Sequence, residues 1–385
     1  MYRKTELFYE PLKEPYDIMK PIEEGFPAGE MSKEEQAFLC GLIRANSPKK
    51  LLEIGVAAGG TTAVIGNCLS KVSPDARMYS VDISSRYYRA PEKESTGYLY
   101  NQVNERLRFA NFHKFMLGRS IPFWIDEIGA GIDFLVLDTV HSLPGEVLDF
   151  LCVLPYLSDG AIVVMHDINY NLLSTYSNGV NSYATKVLFS SVRAGEKYYD
   201  FDSPRTNIAA FRVNCDTRED VWNVFSSLSI TWEYIPTMVD IKKYTSIFLR
   251  HYGITEALEE WLKSLLYLQE KAQAKKIGNV DKEIEHIRET VKKHNSTYIY
   301  GTGLKGARMV DLLDKIQISG FCVSDNYPTE GEYLGKSVRH ISEVSVGEGI
   351  VVLASDSEEC LWHIYENEIP HVVVSDRLWK TYNCL

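Results

Sequence analysis

Leu51-Leu52-Glu53-Ile54-Gly55-Val56-Ala57-Ala58-Gly59-Gly60-Thr61-Thr62 is an apolar run that ends on an acid and opens into a glycine-rich turn. Leu51 to Ile54 is short and apolar enough for a buried parallel strand. Gly55, Gly59 and Gly60 let the backbone turn sharply and come close to a ligand. Thr61 and Thr62 then cap or begin a helix that continues through Ala63, Val64, Ile65 and Leu69. An open α/β sheet holds its ligand at the carboxyl ends of its strands, so this turn is the first candidate site.

Working outward, the same alternation repeats. Upstream, Ser32-Lys33-Glu34-Glu35 has the form of a capping box, with Phe38, Leu39, Leu42 and Ile43 behind it at helical spacing. Downstream, strands are predicted at Met78 to Asp82, Phe112 to Leu117, Ile132 to Asp138 and Gly160 to Met165, with helical segments between them. Tyr198 to Phe201 and Ile208 to Val213 read as a closing antiparallel hairpin. The sum is an α/β fold, a doubly wound, mostly parallel seven-stranded sheet with an antiparallel edge hairpin.

The division expected along the chain is an amino-terminal arm (1–34), an α/β domain (35–215), a helical connector (216–294) and a small Rossmann-like domain (295–385). The arm has Pro11, Pro15, Pro21 and Pro27 too closely spaced for a regular element, which suits a cover for the active site or for a neighbouring subunit of a homo-oligomer. The connector reads either as a plain link or as a dimerisation or lid element.

At 385 residues with a net charge of -11, the protein has no bulk electrostatic attraction for nucleic acid or an anionic membrane. No run approaches the roughly 18 apolar residues of a membrane span. Seven scattered cysteines, without a CxxC pair, fit reduced residues of a cytoplasmic protein. A small or neutral substrate is expected.

The strand ends carry the chemistry. Asp82 closes the second strand about 22 residues beyond Gly60, the distance at which a second-strand acid meets ribose hydroxyls. The glycine pattern here is GxxxGG, not the dinucleotide GxGxxG. It suits a ligand without phosphate, held by backbone approach and by carboxylates such as Glu53 and Asp82. Leu137-Asp138-Thr139-Val140-His141 and Met165-His166-Asp167 both end apolar strands, which places Asp138 and Asp167 on one rim as candidate ligands of a hard divalent cation such as Mg2+. His141 is the candidate general base and His166 its support.

These residues resemble the class I S-adenosylmethionine-dependent methyltransferases over about residues 35 to 215. Glu53 to Gly60 looks like their first motif, Asp82 like their ribose-binding acid, and Gly118-Arg119-Ser120 like the loop beside the adenine. The resemblance implies S-adenosyl-L-methionine as cofactor, held by Glu53, Gly55, Gly59, Gly60, Thr61, Asp82, Gly118, Ser120 and Asp138. The Asp138 and Asp167 rim is similar to metal-dependent O-methyltransferases, including those acting on sugars, and implies a sugar hydroxyl of a nucleotide-sugar or surface-glycan precursor as acceptor. Many relatives have a glycine and a second acid after the first of these aspartates, where this chain has Thr139 and Val140. A non-sugar small-molecule acceptor and a catalytically silent nucleotide-sugar-binding scaffold are the alternatives. Iron chemistry at Asp138, His141 and His166 is a third reading, on residue type alone.

A true GxGxxG lies near the carboxyl terminus, at Gly301, Gly303 and Gly306, with Asp325 about 20 residues on. The segment resembles small Rossmann-like domains beside sugar-modifying enzymes. A nucleotide site and a structural or substrate-presenting role both stay open.

Overall fold

The computed structural model describes residues 2–3, 31–173, 183–199, 207–253, 256–314, 316–329, 331–345, 347–382 and 384. Most of the expected arm, and the end of the strand placed at Tyr198 to Phe201, lie outside the described residues. The chain forms two compact units, Met1–Glu233 and Tyr234–Leu385.

The first unit is built on an eight-stranded sheet. Its strands are β1 (Tyr2–Arg3), β2 (Lys50–Ile54), β3 (Arg77–Asp82), β4 (Phe112–Leu117), β5 (Ile132–Leu137), β6 (Leu157–His166), β7 (Glu196–Tyr198) and β8 (Ile208–Arg212). The order is β1-β7-β8-β6-β5-β2-β3-β4. All pairs are parallel except those that β8 makes with β6 and β7. The seven predicted strands are therefore present with their antiparallel edge, and the two residues of β1 add an eighth beside β7.

β2 lies at the centre because Leu51, Leu52, Glu53 and Ile54 are buried on both faces, as a middle parallel strand requires. The register pairs Ile54 with Val81 on one side and Leu137 on the other, so β2, β3 and β5 end level. The helix Lys33–Asn46 starts on the predicted capping box, with Ser32 Oγ accepting from Glu35 N and Glu35 Oε2 from Ser32 N. Its buried Phe38, Leu39, Leu42 and Ile43 join Val64, Ile65 and Leu69 of the helix Gly60–Val72 over one face of the sheet. That layer fixes the height of the glycine turn.

The second unit has its own sheet, from β9 (Thr297–Tyr300), β10 (Gly320–Val323), β11 (Glu332–Tyr333), β12 (Lys336–His340), β13 (Ile350–Leu353) and β14 (His371–Val373), in the order β11-β12-β10-β9-β13-β14. It is parallel apart from the β11/β12 hairpin. The helices Met238–His251, Glu256–Lys276 and Val280–Val291 belong to this unit. Ile284, Ile287 and Val291 pack into the same apolar cluster as Ile299, Phe321 and Trp379. Among the described residues no helix is long and apolar enough to cross a membrane.

Candidate active site

The turn after β2 is laid directly on its neighbours. Gly55 N donates to Val81 O and Asp138 N to Ile54 O, each at 2.9 Å. At Gly55, φ is +95° and a β-carbon would lie 1.8 Å from the Asp138 carbonyl oxygen, so a side chain is excluded twice over. Gly59 meets Gly97 back to back: a β-carbon on Gly59 would come within 2.8 Å of the Gly97 α-carbon. Gly97 N donates to Ala57 O and Leu99 N to Ala58 O, lacing the turn to the segment that follows β3. Gly60 is buried and Thr61 half-buried in the first turn of the helix Gly60–Val72.

Asp82 holds the turn from the end of β3. Its Oδ2 accepts from the amides of Val56 (2.9 Å) and Ala57 (3.1 Å), and its Oδ1 from Ser84 N (2.8 Å). A carboxylate oxygen with one donor keeps acceptor capacity, so Oδ1 can still receive a hydroxyl. Gly118 N donates to Asp82 O, which brings the Gly118 to Ser120 segment beside it at the end of β4.

Glu53 is placed differently from the rest. Its side chain is fully buried, and Oε2 accepts from Ser80 Oγ at 2.6 Å, with His113 Nε2 3.0 Å from the same hydroxyl. Burial raises the Glu53 carboxyl to about 8 and lowers the His113 imidazole to about 4. Glu53 therefore supports the turn from within the core.

At the ends of β5 and β6 the predicted acids and histidines converge. His141 Nε2 is 3.0 Å from Asp167 Oδ2 and 3.8 Å from Asp138 Oδ1. His166 Nδ1 is 3.1 Å from Asp138 Oδ1 and 3.6 Å from Asp167 Oδ2. Each histidine also meets a further carboxylate, Glu146 at 3.3 Å from His141 Nδ1 and Glu35 at 3.5 Å from His166 Nε2. His141 and Asp167 both have φ of +57°, a costly conformation for residues with a side chain, and one that clusters at functional sites.

Burial opposes charge on both rings, but the surrounding carboxylates outweigh it. Glu146, Asp167 and Asp138 raise His141 to about 9, and Asp138 with Glu35 raises His166 well above the usual imidazole range. Burial pushes Asp138 up, yet His166 and His141 bring it below its ordinary value; at Asp167 burial prevails and the carboxyl is raised. His141 can accept a proton only after giving up its own.

The donor set suits a divalent cation. Asp138, His141 and Asp167 each offer a ligand atom, and these atoms lie within 4.8 Å of one another. An imidazole bound through Nε2 could not also take a proton there, so a base role for His141 leaves the cation to the two carboxylate oxygens, with positions open for a substrate oxygen.

Three residues of this cluster are absent from the sequence reading. Glu35 is visible there only as a capping-box acid and Glu146 only as the acid of a helix start. Asn207 gives no sequence signal at all: its side-chain amide donates to Asp167 Oδ1, its Oδ1 accepts from Asn169 N at 2.7 Å, and its carbonyl accepts from Ile168 N.

The second glycine turn is closed by its own unit. Gly301 has φ of +105°, and a β-carbon there would meet Ser355 Oγ at 2.2 Å; one on Gly306 would meet Gly301 O at 2.0 Å. Lys305, in the first turn of the helix Leu304–Leu313, lies 2.9 Å from Asp356 Oδ2. Gly303 is the N-cap of that helix, and the exposed Asp325 accepts from Ser342 N at 3.1 Å.

The span from β2 to the residue after Asp167 decides what the first unit carries. Residues 52–168 match the family model described as a methyltransferase domain. The matched span contains Glu53, Asp82, Asp138, His141, Glu146, His166 and Asp167, and leaves Glu35 and Asn207 outside its limits.

Among solved structures, the O-methyltransferase of Streptomyces achromogenes involved in tomaymycin synthesis, in complex with S-adenosylmethionine, is 16% identical, with 53% of this chain and 90% of that chain covered and a TM-score of 0.38. The O-methyltransferase of Bacillus cereus in complex with S-adenosylhomocysteine is 15% identical, over 52% of this chain and 91% of that chain, with a TM-score of 0.37. A comparison with curated proteins gives no match.

Proposed function

We propose that the methyltransferase domain transfers a methyl group from S-adenosyl-L-methionine to a hydroxyl group, with a divalent cation held by Asp138 and Asp167. The convergence of Asp138, His141 and Asp167 beside the glycine turn carries this reading. The cofactor brings an already activated methyl, so the chain has to bind, align and manage one proton. Gly55, Gly59 and Gly60 admit the ligand to the backbone, Asp82 Oδ1 receives a ribose hydroxyl, and the Gly118 to Ser120 segment flanks the base. Asp138 and Asp167 would hold the cation, which would supply Lewis acidity toward the acceptor hydroxyl. His141 faces that position and takes the proton, while His166 fixes Asp138 and is itself backed by Glu35.

The acceptor in this reading is a sugar hydroxyl of a nucleotide-sugar or surface-glycan precursor, on the likeness of the Asp138 and His166-Asp167 strand ends to sugar O-methyltransferases. A non-sugar acceptor is favoured by Val140 and Leu172, exposed apolar residues next to His141 and in the helix that carries Tyr170. The Tyr170 ring lies 5.4 Å from that of His141.

Calorimetric titration with S-adenosylmethionine and S-adenosylhomocysteine tests the cofactor. Binding to the wild type with a marked loss in Asp82→Ala is expected; no binding, or equal binding by the variant, rejects it. For the cation, methyl transfer that survives exhaustive chelation and Asp167→Ala removes it from the mechanism.

A further inference from the structure

The unit Tyr234–Leu385 contains a second pocket, at the end of its sheet opposite the Gly301 turn. A cleft of about 330 Å3 lies where the helices Met238–His251 and Glu256–Lys276 meet the first residues of β13 and β14. That volume is at the lower end of the range for small-molecule sites, roughly 300 to 1,000 Å3. The cleft is open to solvent along one side.

Thr237, Thr290, His294 and His371 also line the cleft, and Glu270 is its carboxylate. The Tyr365 hydroxyl donates to Glu270 Oε1, and His371 Nε2 lies 3.3 Å from the same oxygen. The Tyr365 ring is almost wholly buried and stands edge-on to His371, with centroids 5.3 Å apart. Two ordered side chains thus fix the carboxylate through one oxygen. Oε2 has no hydrogen-bond donor among the described residues. Met238, Ile350 and Pro370 supply apolar wall, and none of the described residues lining the cleft is a lysine or arginine.

These features select by charge. A carboxylate against apolar wall, with one oxygen unspent and neither lysine nor arginine among the described lining residues, disfavours phosphates and carboxylates and rewards a ligand that brings its own positive donor. We propose that this cleft binds a small organic amine, with its ammonium on Glu270 Oε2 and its apolar body against Met238, Ile350 and Pro370. The site is independent of the methyl-transfer reading and shares no residue with it.

Three matched probes test the proposal on the full chain by calorimetry and ligand-observed NMR: cyclohexylammonium, cyclohexanol and cyclohexanecarboxylate. Saturable binding in the order ammonium, alcohol, carboxylate is expected. Glu270→Gln should weaken the ammonium by roughly tenfold or more and leave the alcohol nearly unchanged, as loss of one charge-assisted hydrogen bond requires. Tyr365→Phe keeps the charge and should retain binding. If Glu270→Gln does not fold, Met238→Trp, which fills the cleft from a half-exposed position, must abolish binding of the ammonium. An ammonium that binds no better than the alcohol, or that binds undiminished to either Glu270→Gln or Met238→Trp, overturns the proposal, as does the absence of binding by all three probes.

Discussion

His141 Nε2 lies 3.0 Å from Asp167 Oδ2, and both residues hold left-handed backbone conformations. The contact joins the end of β5 to the end of β6 and makes the rim a single electrostatic unit. His141→Ala should lower the rate of methyl transfer by about 100-fold or more, the usual worth of a proton-managing side chain. His166→Ala should cost less, about tenfold, because it acts on Asp138. Initial rates of the two variants check the order; a larger loss at His166 exchanges their roles.

Asn207 bridges Asp167 to the Asn169 amide, and nothing else described holds the first oxygen of Asp167. Asn207→Ala should weaken Mn2+ binding about 10- to 100-fold, in line with outer partners of metal ligands. Electron paramagnetic resonance reads this without turnover. Unchanged Mn2+ affinity would mean that Asp167 needs no such support.

Glu53 gives a pH-dependent stability of definite sign. Burial holds its folded-state carboxyl at about 8, above the ordinary value of 4.5 in the unfolded chain. The folded state therefore keeps a proton that the unfolded state has lost, and the contribution, full below about 4.5, declines as pH rises towards about 8. Glu53→Gln removes the titration. Urea unfolding of the two proteins should show the variant gaining on the wild type between pH 5 and 8, by a few kcal/mol at most. A difference independent of pH would mean that Glu53 ionises freely in the fold.

Gly55→Ala places a methyl group on the Asp138 carbonyl at a φ that disfavours any side chain. A loss of about 2 kcal/mol or more in unfolding free energy is expected, with cofactor binding lost first. Gly118→Ala, at a similar φ but with open space around its β-carbon, should be milder. Equal effects at the two positions would assign the cost to backbone strain alone.

The sheet and the main strand-end residues were legible because each rests on a local pattern. A short apolar run with an acid or glycine behind it marks a buried parallel strand and the end that faces a ligand, as at Ile54, Asp82, Asp138 and Asp167. The partners of those residues were not legible, because tertiary packing chooses them. Glu35 is about 130 residues from His166 in sequence, and Asn207 is 40 from Asp167. The contacts of Glu53 were equally hidden: its strand-end position does not reveal that Ser80 Oγ donates to it, with His113 on the same hydroxyl. The β11/β12 hairpin has no sequence signal because its strands are short and lie partly exposed, without an apolar run to mark them.

The contact between Gly59 and Gly97 ties two distant positions to one evolutionary fate. Gly59 cannot gain a side chain while the Gly97 backbone stays where it is, since the space for its β-carbon is already taken by the Gly97 α-carbon and carbonyl; a β-carbon on Gly97, at φ of +78°, would meet the Phe115 ring at 2.5 Å. A variant library that randomises either site alone should return glycine in its active members. Escape at Gly59 requires a joint change in the glycine turn and in the segment that follows β3, so the turn and its neighbour would have to be inherited, or redesigned, as one piece.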